Sequence, residues 1–182
     1  MTELGSVAWP SAPLRTPRLV LRESEARDRT AYVELLTSSQ VRAYLGGPRP
    51  REDVERTLPD VPGRRPGTFV VDHGGQMIGL VTFDRRDPAR PGRVRLRDGD
   101  AELSYAFLPT AWGQGYAAEA CTAALRWFAG ALPAEPVVLC TQAANDRSVR
   151  LAVKLGFTEV ERFEEFDAEQ WFGVWSPTEP AR

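Results

Sequence analysis

Residues 101–129 most restrict what this chain can fold into. They open with the alternating run Ala101-Glu-Leu-Ser-Tyr-Ala-Phe-Leu108, whose period of two predicts a strand. Further on, Ala117, Cys121, Ala124, Leu125 and Phe128 recur at helical spacing and predict one apolar helix face. Between the two runs, Gly113 and Gly115 frame Gln114. A strand that enters a helix through a glycine turn leaves backbone N–H groups unpaired at the helix start, where an anion can bind. Glycine also lets a ligand come close to the backbone. No Lys follows the second glycine, so this is not the phosphate loop of a nucleoside triphosphatase. Nor is there a third glycine in dinucleotide-binding register, and the motif lies late in the chain. The stretch reads as a phosphate site made of main-chain amides alone.

The remaining chain suits one domain over residues 1–182, with loose ends at 1–12 and 176–182. A net charge of −2 gives no general attraction to nucleic acid or to an anionic membrane. There is one Lys, Lys154, and the many Arg are interspersed with Asp and Glu. Neither a leader pattern nor an apolar stretch of membrane-spanning length is present. Cys121 and Cys140 form no disulfide framework or metal motif and read as buried free thiols of a cytoplasmic protein. A single His excludes the familiar His-based metal clusters, so no metal is expected.

In chain order, Leu14-Arg-Thr-Pro-Arg-Leu-Val-Leu-Arg22 predicts a first strand. Helices are expected over 26–37, 40–45 and 51–58, the second stopped by Gly46-Gly47-Pro48. Residues 68–72 and 77–83 predict a hairpin through Gly74-Gly75, with His73 exposed at its tip. Residues 84–100 are polar and aperiodic and read as a loop. A strand over 137–141 follows the central helix. Then comes a helix over 147–155, capped by Asn145 and ended by Gly156. The last hairpin is expected over 158–166 and 169–175, turning at Asp167-Ala168. Its Trp171, Phe172 and Trp175 face either the core or a homodimer partner.

Two segments carry a resemblance. Trp112-Gly-Gln-Gly-Tyr-Ala117 resembles the acyl-CoA pyrophosphate loop of the GNAT N-acetyltransferases, with Trp112 in place of the usual Gln or Arg. Asn145-Asp-Arg-Ser-Val-Arg-Leu-Ala-Val-Lys-Leu-Gly-Phe157 resembles the second cofactor segment of the RimJ/RimL-type branch, which acetylates ribosomal-protein N-termini. The opening Leu-x-Thr-x-Arg-Leu-x-Leu-Arg phrase is similar to that branch as well. The resemblance spans residues 14–175 and implies the α/β GNAT fold: a mixed, mostly antiparallel sheet, V-splayed between central strands and flanked by helices.

It also implies acetyl-CoA as co-substrate and an amine as acceptor. The pyrophosphate falls to Trp112, Gly113, Gln114, Gly115, Tyr116, Ala117 and Ala118, and the pantetheine arm to the backbone at Phe107 and Leu108. Asn145 bonds to the pantetheine, and Arg147 or Arg150 meets the 3′-phosphate or stays solvated. Glu102 is the candidate base, set against a plain exposed strand Glu. Many members place a Tyr in the helix after the Asn; Leu151, Ala152 and Val153 stand there instead. Ser148, or more weakly Tyr105, is left as proton donor, unless Ser148 only bonds within the first helical turn. The acceptor stays open among protein N-termini, side-chain amines and small molecules. The rival is a CoA-binding sensor or regulator without catalysis.

Overall fold

The structure is a computed structural model, which describes residues 4, 9, 12–92, 94, 99–133 and 135–177. Among these residues, eight strands form one mixed sheet. In chain order they are β1 (Leu14–Arg15), β2 (Val20–Arg22), β3 (Thr68–His73), β4 (Gln76–Arg85), β5 (Ala101–Phe107), β6 (Val137–Gln142), β7 (Thr158–Glu165) and β8 (Ala168–Trp175). Four α-helices accompany them: α1 (Arg29–Thr37), α2 (Arg51–Thr57), α3 (Tyr116–Ala131) and α4 (Asp146–Lys154). The sheet order is β1-β2-β3-β4-β5-β6-β8-β7. β5 and β6 are parallel, with Ala101 opposite Val137 and Glu102 opposite Val138. The chain groups into two compact units.

One unit holds Trp9–Thr82 and Tyr105–Ala124. Its apolar cluster joins Tyr32 and Leu35 of α1 to Val70 of β3 and Met77 of β4, with Val41, Leu58, Leu80, Ala106 and Leu108 packed around them. Tyr32 lost its hydration here, and burial pushes its phenol up to about 12. The buried Arg22 guanidinium bonds to Asp28 at 2.7 and 2.9 Å and to Asp72 at 2.9 Å, linking β2, the turn before α1 and β3. Gly74 and Gly75, at φ 62° and 86°, close the β3–β4 hairpin as expected, and both positions require positive φ.

Two expectations fail in this unit. The single strand over 14–22 is two short strands, because Thr16-Pro17-Arg18-Leu19 forms a turn. The Thr16 amide donates to the Leu19 carbonyl at 3.0 Å, and Pro17 has no N–H for a strand ladder. Residues 40–45 form turns rather than a helix; Arg42 bonds to the carbonyls of Gly47 at 2.8 Å and of Leu45 and so ties the segment to itself. Trp9 stacks on Phe69 with ring centroids 4.9 Å apart.

The other unit holds Met1–Ala8, Phe83–Ser104 and Leu125–Arg182. Phe83 stacks on Phe128 at 4.8 Å, and Leu4 is buried as well. Antiparallel pairing sets Cys140 opposite Phe172 and Thr141 opposite Trp171. Both Trp171 and Phe172 are fully buried, so the core alternative describes them. The β7–β8 hairpin turns at Phe166-Asp167, one residue earlier than expected, with φ of 55° and 57°. Cys140 is half-buried rather than buried. Gly156, at φ 93°, ends α4.

Candidate active site

The first group of site residues follows the end of β5. The Leu108 amide donates to the Ile78 carbonyl at 2.9 Å, and Pro109–Ala111 makes a single tight turn. The Trp112 indole N–H then donates to the Phe107 carbonyl at 2.8 Å, which fastens the loop back onto the strand that precedes it. Gly113 and Gly115 both have φ of 78°, a left-handed conformation that a side chain disfavours. A Cβ at Gly113 would meet nothing within 4 Å, and one at Gly115 would meet only Arg18 Nη2 at 3.5 Å. The glycines therefore serve the backbone path, and the space above them is open. α3 begins at Tyr116, so the Tyr116, Ala117 and Ala118 amides lie in its first turn and have no helical carbonyl to bond. Open glycines followed by unpaired amides at the positive end of a helix dipole suit a diphosphate.

Sequence reasoning missed what holds this turn. Arg18 bonds through Nη1 to the Gln114 carbonyl at 2.9 Å and through Nε to Glu119 at 2.7 Å. Its backbone amide also bonds to Glu119 at 3.0 Å, and the Thr16 hydroxyl does so at 2.6 Å. Burial works to raise the Glu119 pKa, but these bonds outweigh it and hold the carboxyl below its ordinary range. The Arg18 guanidinium lies 4.7 Å from the Tyr116 ring centre, and Tyr116 Oη lies 3.2 Å from His73 Nε2. His73 is exposed at its hairpin tip as expected, yet it touches the loop. The available signal was the Thr and Arg of the opening phrase, but nothing local pairs Arg18 with a residue 101 positions away.

The second group lies in the other unit. Glu102 is buried rather than exposed, and its Oε1 accepts from Arg86 Nη1 at 2.9 Å. Arg90 Nη1 is 3.8 Å from its Oε2. Arg86 itself is 2% exposed, bonds to the Pro91 carbonyl at 2.7 Å and lies 5.3 Å from the Phe172 ring centre. Arg90 forms a two-pronged pair with Glu165 at 2.9 and 2.6 Å, and that pairing raises the Arg90 pKa and lowers that of Glu165. Burial raises the nearby Cys140 thiol, which makes it a poor nucleophile.

Asn145 caps α4: its side-chain oxygen accepts from the Ser148 amide at 3.3 Å. That leaves its NH₂ donor outside the cap. Ser148 is half-buried, and its amide donates to the Asn145 side-chain oxygen in the first turn. Arg147 and Arg150 are exposed. Tyr105 is half-buried and falls in the unit that holds Trp9–Thr82. Among the described residues, no cluster of His, Cys, Asp and Glu could hold a metal, and no helix is long and apolar enough to cross a membrane.

The family model of the GNAT acetyltransferase domain matches residues 18–158. The chain belongs to the GNAT acetyltransferases. No curated protein matches it by sequence. Among solved structures, a GNAT-family acetyltransferase from Bacillus anthracis is similar at a TM-score of 0.72 and 20% identity, covering 90% of this chain and 98% of that one. Spermidine N-acetyltransferase from Vibrio cholerae, solved with CoA and spermine, is similar at 0.68 and 19%, covering 88% and 96%. RimL, a ribosomal alpha-N-protein acetyltransferase solved in its apo form, is similar at 0.67 and 15%, covering 91% and 94%. These likenesses show the GNAT fold, an eight-stranded mixed sheet with flanking helices. GNAT members use acetyl-CoA as co-substrate.

Proposed function

We propose that this GNAT chain transfers an acetyl group from acetyl-CoA to an amine, acting as one cytoplasmic domain of the RimJ/RimL type. The observation that carries the proposal is the open turn before α3. Two glycines at positive φ lead directly into three first-turn amides; a Cβ built at Gly113 meets nothing within 4 Å, and one at Gly115 meets only Arg18 Nη2 at 3.5 Å. In this reading the amides from Gly113 to Ala118 hold the pyrophosphate, with Trp112 fixing the turn. The backbone at Phe107 and Leu108 takes the pantetheine arm as an added strand. The Asn145 NH₂ bonds to the same arm, and Arg147 meets the 3′-phosphate. Acetyl-CoA supplies an activated acyl group with a thiolate as leaving group.

An attacking amine must shed a proton, and Glu102 takes it, through water. Ser148, or Tyr105, returns a proton to the departing sulfur. Acceptor class is left at amine: solved proteins of this fold include one named for spermidine and one for a ribosomal-protein N-terminus.

One observation favours the second reading, CoA binding without catalysis. The Glu102 carboxylate is buried and its Oε1 is already taken by Arg86 Nη1 at 2.9 Å. A thiol-release assay with acetyl-CoA across N-terminal peptides, amino acids, polyamines and aminoglycosides separates the two. Amine-stimulated release supports the enzyme. CoA binding with no release from any amine supports the sensor. No CoA binding rejects both.

A further inference from the structure

We infer that Arg18, in the β1–β2 turn, is a positioning residue that sets the direction of the Gly115 amide in the pyrophosphate loop. The inference rests on the CoA-binding reading given above. A trans peptide is planar, with its carbonyl and its N–H on opposite sides. Gln114 and Gly115 share one such peptide. Arg18 Nη1 holds the Gln114 carbonyl at 2.9 Å, so the Gly115 N–H points away from Arg18 and is kept there. Without that bond the peptide is free to turn, because glycine at φ 78° has no side chain to resist and Gln114 is exposed.

The guanidinium is itself held in place. Nε and Nη2 bond to Glu119 at 2.7 and 2.6 Å, and the Tyr116 ring lies 4.7 Å from its central carbon. Glu119 is in turn fixed by the Thr16 hydroxyl at 2.6 Å and by the Arg18 amide. The Thr16–Leu19 turn thus presents one Arg to both the loop carbonyl and the first-turn carboxylate of α3. Only a forked, five-donor group reaches two acceptors in this way; a Lys ammonium reaches them as a single point. Arg18 also offsets the Glu119 charge, which otherwise stands in the helix turn that receives a phosphate.

The test measures CoA and dephospho-CoA affinity, acetyl-CoA KM, kcat and thermal midpoint. The proteins are the wild type, Arg18→Ala, Arg18→Lys and the double variant Arg18→Ala with Glu119→Gln. Loss of one charge-assisted bond predicts CoA binding about tenfold weaker in Arg18→Ala, at little change in kcat or acceptor KM. Arg18→Lys recovers only part of the loss. Dephospho-CoA shows the same factor, since it keeps the pyrophosphate. The double variant stays weak, because removing the Glu119 charge does not restore the peptide's orientation.

Recovery in the double variant overturns the inference in favour of simple charge balance. A loss seen with CoA but not with dephospho-CoA overturns it in favour of a direct 3′-phosphate contact. Unchanged affinity in Arg18→Ala overturns it outright. Failure of the wild type to bind CoA would instead reject the functional reading on which the inference stands.

Discussion

Two residues carry sharp expectations about chemistry. Glu102→Gln keeps a hydrogen-bond acceptor for Arg86 but cannot take a proton. A general base contributes roughly 10²–10⁴-fold, so kcat is expected to fall by at least about a hundredfold with acetyl-CoA affinity nearly unchanged. Steady-state kinetics beside CoA titration checks this. Equal loss of both would make Glu102 a partner of Arg86 in the fold, and loss of neither would remove it from the reaction. Gly115→Asp is expected to abolish CoA binding by calorimetry. The carboxylate stands in the open space above the turn, within reach of Arg18 Nη2, and opposes a phosphate with like charge. CoA affinity that survives this change would remove the site assignment.

Among elements, α4 separates two jobs of one residue. Asn145 caps the helix through its oxygen, and its NH₂ is assigned to the pantetheine. Asn145→Ser keeps a good cap, so stability should stay within about 0.5 kcal/mol. The acetyl-CoA KM should rise severalfold, because Ser lacks the second donor. A thermal midpoint that falls while KM holds would confine Asn145 to capping.

The elements themselves were legible where one period dominated. β5, the glycine turn and α3 follow from alternation, Gly113 and Gly115, and the Ala117–Phe128 stripe. Legibility ended where side chains act at a distance. Pro17 lies near the start of the run read as one strand over 14–22, whereas a turn uses its missing N–H better. The hairpin tip fell on Phe166, a residue that local preference keeps away from positive φ. Glu102 is fixed by Arg86, a residue within a stretch whose polar composition suggested only a loop. The Arg18–Glu119 link depends on tertiary approach that no local pattern encodes.

For the whole molecule, pH dependence follows from which groups folding shifts. Burial raises Asp28, but the bonds from Arg22 and the Glu25 amide outweigh it, leaving the carboxyl below its ordinary range. Glu119 and Glu165 are lowered too. A depressed carboxyl contributes stability that is present above its unfolded pKa and is lost as pH falls through the folded value. Stability should therefore decline from about pH 4 downward, near the unfolded carboxyl values.

The alkaline side has the opposite sign. Burial raises the Cys121 thiol and pushes the Tyr32 phenol up to about 12. Each contributes stability that is complete below its unfolded pKa and is lost as pH rises toward the folded value. For Cys121 the loss starts near pH 8.5, and for Tyr32 near pH 10, at about 1.4 kcal/mol per pH unit for each group. Cys121→Ala removes the first of these at the cost of a small cavity, so its midpoint is lower at pH 7 but flat to about pH 10. Thermal midpoints measured from pH 3 to 11 on both proteins decide the matter. Parallel alkaline declines in the two would show that Cys121 is not the group that begins the loss.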